Sequence, residues 1–207
     1  IGKGTQAMNG KEKPRMNLVG LGTQSVAMES LLGGLPAEVN VLEGASDARA
    51  SALDFQTPLI LDGAESAEIA ATRIRELGLV DILSERIASG ASLLVCAHAA
   101  LAMASGRLKS SIRGLGLVPA ELLRVPGIPV CGARRIAGYM SERAWFGHEY
   151  LFVPVNGDWS VRLLPTGLLS AGRVRICAFD PARSGGFGRA FVSDWFNQAR
   201  QLREEAA

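Results

Sequence analysis

A cysteine stands between a short apolar run and a run of small, helix-forming residues. The stretch reads Ser92-Leu93-Leu94-Val95-Cys96-Ala97-His98, with small residues continuing to position 104. This pattern predicts a buried strand, a sharp turn at Cys96 and a helix that begins at once. A thiol at such a turn would point out at the carboxyl edge of a parallel sheet, beside backbone N–H groups that can lower its pKa and bind an oxyanion. The pattern is compatible with a nucleophile, and also with a buried core cysteine, which is a common fate of a free cysteine.

The chain has two histidines that could act as a base for this thiol. His98 lies two residues after Cys96, and on a helix residues two apart face different directions. His148 follows Trp145-Phe146-Gly147, a segment typical of a loop. We expect a packed or exposed imidazole at both positions rather than a catalytic one.

Composition excludes several classes of function. The chain has 207 residues, of which 48% are apolar and 20% charged, with a net charge of +2. These values predict a large core and give no argument for a nucleic-acid or membrane partner. Three cysteines without metal-motif spacing favour a reducing cytoplasm, and we expect no metal or other cofactor. Residues 1–15 are expected to be a tag or disordered tail, and residues 16–207 a single domain.

Hydrophobic patterning predicts alternating strands and helices in the first half. A strand over 16–22 is followed by a helix over 25–32 with Val26, Leu31 and Leu32 inward, and strands follow over 38–42 and 58–61. A long amphipathic pattern with Ile69 on its apolar face precedes the Cys96 strand. After residue 105 short strands cluster, at 121–125, 134–139, 150–155, 161–164 and 174–179, and a last helix covers 187–203. The fold class is therefore α/β, a three-layer sandwich with a mixed, largely parallel central sheet.

Five segments, in this order and spacing, resemble the class I glutamine amidotransferases. The most similar branch is the glutaminase subunit of imidazole glycerol phosphate synthase, an enzyme of histidine biosynthesis. The segments are the opening strand and turn (19–26), Leu59-Ile60-Leu61-Asp62-Gly63-Ala64-Glu65, Leu94-Val95-Cys96-Ala97-His98, Gly114-Leu115-Gly116-Leu117-Val118-Pro119, and the last strand with its loop (173–185). The resemblance implies a flavodoxin-like domain that takes glutamine as substrate if active. The partner that it implies is a (β/α)8-barrel cyclase-type synthase subunit.

The resemblance assigns a role to individual residues. Cys96 holds the nucleophile position, Asp180 the position of the family's histidine, and Ala182 that of its glutamate. Gly63 and Ala64 correspond to the oxyanion loop, together with Ala97. The family has a glycine and a glutamine on the substrate side, where this chain has His98 and Ala100.

These replacements predict impaired catalysis. Attack of a thiol on an amide needs a base for the thiol and an acid for the leaving ammonia, and imidazole does both near neutral pH. A carboxylate is too weak a base, and its charge raises the thiol pKa. Loss of a triad partner costs about 10⁴ in rate by serine-protease precedent.

Three functions remain open from the sequence. The chain could be a non-catalytic glutaminase-like scaffold or regulator of a synthase. It could be an altered enzyme that uses Cys96 with His98 or His148. It could also be a working glutaminase whose histidine comes from elsewhere. The apolar segments 126–133 and 150–154 are candidates for a docking face.

Overall fold

The computed structural model describes residues 13–23, 25–42, 44–106, 113–124, 132–136, 139–148, 150–155, 160–161 and 167–204. Its helices are α1 (Ser25–Leu32), α2 (Ala45–Leu53), α3 (Ala67–Glu76), α4 (Val80–Ala88), α5 (Ala97–Met103) and α6 (Gly185–Glu204). Its strands are β1 (Arg15–Gly20), β2 (Glu38–Leu42), β3 (Leu59–Asp62), β4 (Leu93–Cys96), β5 (Ala120–Arg124), β6 (Gly132–Ile136), β7 (Tyr139–Phe146), β8 (Tyr150–Pro154), β9 (Ser160–Val161), β10 (Leu168–Ala171) and β11 (Val174–Cys177).

A seven-stranded sheet forms the centre of the molecule, in the order β2-β1-β3-β4-β11-β10-β9. The first five strands are parallel, and β10 and β9 continue the sheet antiparallel. Every residue of β3 and β4 is buried, as expected for central parallel strands with both faces covered. The predicted three-layer α/β sandwich with a mixed, largely parallel sheet is confirmed.

The strand order reverses between β1 and β3, because the chain leaves β1 toward β2 and then returns to the other side of β1. Open α/β sheets place their sites outside the carboxyl ends of the strands at such a point. The ends of β1, β3, β4 and β11 therefore define the edge where chemistry is expected.

The second half adds short strands, as the sequence predicts. Besides the antiparallel edge of the main sheet, β5 pairs with β8 and β6 pairs with β7 in two-stranded sheets. The predicted strand over 134–139 is divided between β6 and β7, and the part of 161–164 beyond Val161 lies outside the described residues. Residues 1–12 and the part of the docking candidate over 126–131 also lie outside them.

Two inward positions were predicted wrongly, and one helix was missed. Val26 is 67% exposed and Ile69 is 46% exposed, because neither lies on the buried face of its helix. That face is formed in α1 by Met28, Leu31 and Leu32, and in α3 by Ala67, Ala70, Ala71 and Ile74. Helix α2 has little apolar patterning beyond Ala48 and Ala52, so its sequence does not stand out from a loop.

No described helix is long and apolar enough to span a membrane.

A buried arginine on α4 binds the end of α2 and the segments that precede β3 and β4. Arg86 on α4 is fully buried, and its guanidinium donates to the carbonyl oxygens of Ala52, Asp54, Thr57 and Ser92 at 2.7–3.1 Å. Burial lowers the pKa of Arg86 to about 10, which still leaves it charged at neutral pH. This network fixes the segments that lead into β3 and β4, and so the register of the strands that carry the site.

Candidate active site

Cys96 ends β4 at the carboxyl edge of the sheet, and α5 begins at the next residue. Its own backbone is ordinary and extended, with φ −120° and ψ 151°. The chain turns at Ala97, whose φ of +51° is the only positive φ of a non-glycine residue in the described part of the chain. Cys96 is fully buried, whereas Ala97 is partly exposed.

The thiol of Cys96 faces another cysteine. Cys177 ends the neighbouring strand β11 directly beside Cys96 in the parallel register, and the two Sγ atoms lie 3.5 Å apart as free thiols. Burial raises the pKa of Cys96 well above its ordinary value, and Cys177, Asp62 and Asp180 raise it further. Since the thiolate is the nucleophilic form, this environment suppresses reactivity.

Asp180 follows β11 and caps a short 3₁₀ turn over Pro181–Arg183. Its Oδ1 accepts hydrogen bonds from the N–H of Ala182 at 2.9 Å and of Arg183 at 3.3 Å. Burial raises its pKa, although these N–H groups oppose the shift. The carboxyl group therefore stabilises local backbone, which is an ordinary use of aspartate at a helix start.

A second carboxyl group, that of Asp62 at the end of β3, is almost completely buried at the same edge. Burial raises its pKa to about 8, and the nearby charge of Asp180 adds to the shift, opposed by the N–H of Gly63. Asp62 is therefore largely protonated at neutral pH, and it ionises only at higher pH, where its charge adds to that of Asp180 in disfavouring a thiolate.

The loop after β3 is closed against the loop after β1. The Glu65 side chain accepts hydrogen bonds from the N–H and the hydroxyl of Thr23, at 2.9 and 2.7 Å. A Cβ on Gly22 would lie 2.5 Å from the Glu65 carboxylate, and a Cβ on Gly63, whose φ is +95°, would lie 2.6 Å from the backbone nitrogen of Ser25. These contacts hold the exposed Glu65 carboxylate beside the loop after β1, where its negative charge disfavours an anion.

One of the predicted oxyanion donors, the N–H of Ala97, is engaged within the protein. The Ala97 N–H donates to the carbonyl oxygen of Phe179 at 3.2 Å and is not free for an oxyanion. Ala64 is buried, and its carbonyl oxygen contacts Nδ1 of His98 at 3.0 Å. Ala100, on the predicted substrate side, is fully buried within α5.

Both imidazoles are bound to the backbone. His148 is buried, accepts a hydrogen bond from the N–H of Tyr150 at Nδ1 (3.2 Å) and donates from Nε2 to the carbonyl oxygen of Ala178 (2.6 Å). This pair of bonds selects the neutral Nε2–H tautomer. His98 is partly exposed and is within electrostatic range of Glu65 and of Asp180, while its Nδ1 contacts the carbonyl oxygen of Ala64.

Solved structures of glutamine amidotransferases share this architecture. A structure described as a glutamine amidotransferase has a TM-score of 0.69 at 20% identity, covering 89% of this chain and 98% of that one. A structure described as a putative GMP synthase component from Thermoplasma acidophilum has a TM-score of 0.67 at 14% identity, covering 95% and 98%. The chain has a class I glutamine amidotransferase-like fold.

Sequence comparison points to the same group of proteins. The imidazole glycerol phosphate synthase subunit HisH of Exiguobacterium sibiricum is 27% identical over 146 residues, which are 66% of this chain and 73% of that protein. The structure of PurLQS from Thermotoga maritima has a TM-score of 0.63 at 14% identity, covering 92% of this chain and 99% of that one. No protein-family model matches the sequence. The resemblance found in the motifs is therefore confirmed at the level of fold and of similarity to a glutaminase subunit.

In this amidotransferase-like fold, the strand ends bring Cys96, Asp62 and Asp180 within electrostatic range of one another, and His98 within range of Asp180. Ala182 lies in the 3₁₀ turn after β11, where its N–H donates a hydrogen bond to the Asp180 carboxyl group. The sequence patterns did not predict Cys177 and Asp62 as neighbours of the thiol. The signal for both was their place at the carboxyl end of a buried run, where parallel strands end side by side.

Proposed function

We propose that this chain is a glutaminase-like subunit with impaired amide hydrolysis, a pseudoenzyme that serves as scaffold or regulator of a synthase partner. One observation carries the proposal: the Cys96 thiol is fully buried against Cys177, with a raised pKa. A nucleophile needs a thiolate that can reach a substrate carbon. The use of Asp180 as a backbone cap supports the same conclusion, because it leaves the family's histidine position without a base.

The proposed partner is a (β/α)8-barrel cyclase-type subunit of imidazole glycerol phosphate synthase. It comes from the resemblance to the HisH subunit, which is itself one subunit of that synthase. A chain that has lost hydrolysis but kept its fold can still stabilise or regulate the partner on which it docks.

Glutamine hydrolysis is the direct test. The wild-type chain, alone and mixed with the candidate barrel, is expected to release ammonia from glutamine no faster than Cys96→Ala does. A coupled glutamate dehydrogenase assay measures this rate, and circular dichroism confirms that the variant is folded. If wild type is clearly faster than Cys96→Ala in either condition, Cys96 works with a non-standard base and the chain is an amidohydrolase.

Strand β8 and the residue after it offer an apolar surface for docking. Val153 is 42% exposed and Val155 is 53% exposed, while Phe152 is fully buried. Residues two apart on an extended chain share a face, so these two valines form one exposed apolar edge. Exposed apolar surface of this kind is typical of a binding face.

Val153→Asp is therefore expected to weaken binding of the barrel subunit by about tenfold or more, because a charge would be buried at the contact. The matched control is Val41→Asp, since Val41 is 38% exposed on β2, the edge strand of the central sheet, whereas β8 belongs to a separate two-stranded sheet. Isothermal titration calorimetry measures both. Equal binding by both folded variants would exclude this face, and no binding by wild type would remove the scaffold proposal.

A further inference from the structure

At the strand-to-helix turn after β4, one residue faces the core and the next is partly exposed. All four residues of β4 are buried, since this central strand is covered on both faces. Cys96 belongs to that strand in backbone conformation as well as in burial. Its side chain therefore points into the core, against Cys177.

Ala97 has the conformation that makes the turn. A positive φ costs an L-residue about 1–2 kcal/mol, and alanine has no polar side chain to offset that cost. Glycine would adopt this conformation without strain. The bond from the Ala97 N–H to the carbonyl oxygen of Phe179 holds the strained residue to the segment after β11.

A sharp, strained turn between strand and helix is the device that exposes a nucleophilic side chain at the edge of an α/β sheet. Here the strained and partly exposed residue is Ala97, and the cysteine lies one residue before it. We infer that Ala97 holds the outward, reactive position of the strand-to-helix turn at residues 96–97, which we call the elbow. The chain therefore lacks a nucleophile where the fold would present one.

This inference rests on the proposed function and adds to it. It places the loss of activity at the nucleophile itself and not only at the base. A residue at position 97 is also well placed to meet position 180, because Ala97 is bonded to Phe179, the residue before Asp180. The charge of Asp180 reaches both residues that flank Ala97, Cys96 and His98.

Thiol labelling tests the assignment directly. In a Cys131→Ser background, Ala97→Cys is expected to react with iodoacetamide at pH 8.5 within about tenfold of the rate of a free cysteine peptide. Native Cys96 and Cys177 should remain unlabelled until denaturant is added. Peptide mapping by mass spectrometry assigns the label, and Ala99→Cys, at a fully buried position of α5, is the matched control.

Labelling of Ala97→Cys no faster than that of native Cys96 would overturn the inference, as would rapid native labelling of Cys96 in the chain with alanine at 97. A second variant covers the case in which Ala97→Cys does not fold. Ala97→Gly relieves the positive φ and is expected to raise the midpoint of thermal unfolding by about 2–4 °C. A lower midpoint would contradict the strained geometry. The proposed function fails separately, through Cys96-dependent glutamine hydrolysis by the wild type.

Discussion

Asp62→Asn is expected to remove most of the dependence of the unfolding free energy on pH between about 4 and 8. The pKa of Asp62 is about 8 in the folded protein and 3.8 when unperturbed. Below pH 3.8 both states bind the proton. As the pH rises from there, the unfolded state loses the proton while the folded state keeps it, so stability falls until the folded pKa is passed. The slope is about 1.4 kcal/mol per pH unit, and the total loss is on the order of 5 kcal/mol.

Urea unfolding at pH 5, 6, 7 and 8 measures this effect. Wild type is expected to lose stability steadily as the pH rises, and Asp62→Asn to lose much less, since its amide remains neutral and can still accept the Gly63 N–H. Asp180 has a raised pKa for the same reason, burial, and contributes a smaller loss of the same sign. Asp47→Asn, at an exposed position in the first turn of α2, is the control and should follow wild type. Parallel pH profiles for wild type and Asp62→Asn would show that Asp62 is ionised in the folded protein.

The sequence alone was enough to predict the fold, because the buried runs of β3 and β4 are uninterrupted and each is followed by a polar or small-residue helix start. A parallel strand that is covered on both faces has a continuous apolar run, and this run can be recognised from the local sequence alone. Cys96 was also placed correctly at a strand-to-helix turn at the carboxyl edge of the sheet. These features depend only on local patterning.

The side of the turn on which the thiol lies depends on contacts that no local pattern encodes. Cys177 is 81 residues from Cys96 along the chain, and only the register of β11 on β4 brings the two sulfur atoms together. Ala97, with its positive φ, is likewise bonded to Phe179, a residue 82 positions away on the segment that follows β11. Alanine has no sequence signature for a positive φ, since that conformation normally favours glycine. Local patterning therefore located the elbow but not the residue that the elbow presents.

Replacing three residues is expected to convert this elbow into a working site. Ala97→Cys would supply an outward thiol, Asp180→His a base for it, and Ala182→Glu the carboxylate that the resemblance implies for the imidazole. The combined variant is expected to hydrolyse glutamine at least about tenfold faster than wild type, because a triad acts as a unit whose loss costs about 10⁴. The gain should remain partial. Ala100 offers no hydrogen bond to the substrate amide, and Asp180→His weakens the cap on the turn, which costs about 1 kcal/mol.

The decisive comparison is between two versions of the repaired triad. Asp180→His with Ala182→Glu alone keeps only the buried Cys96 thiol, and we expect it to stay at the wild-type background rate. Adding Ala97→Cys should raise the rate, and removing the inward thiol from that triple variant by Cys96→Ala should leave the rate unchanged. Because the last two variants differ only at Cys96, steady-state ammonia release from them separates the two candidate nucleophile positions. Activity in the double variant that disappears with Cys96→Ala would return the nucleophile role to Cys96 and show that its burial against Cys177 opens in solution.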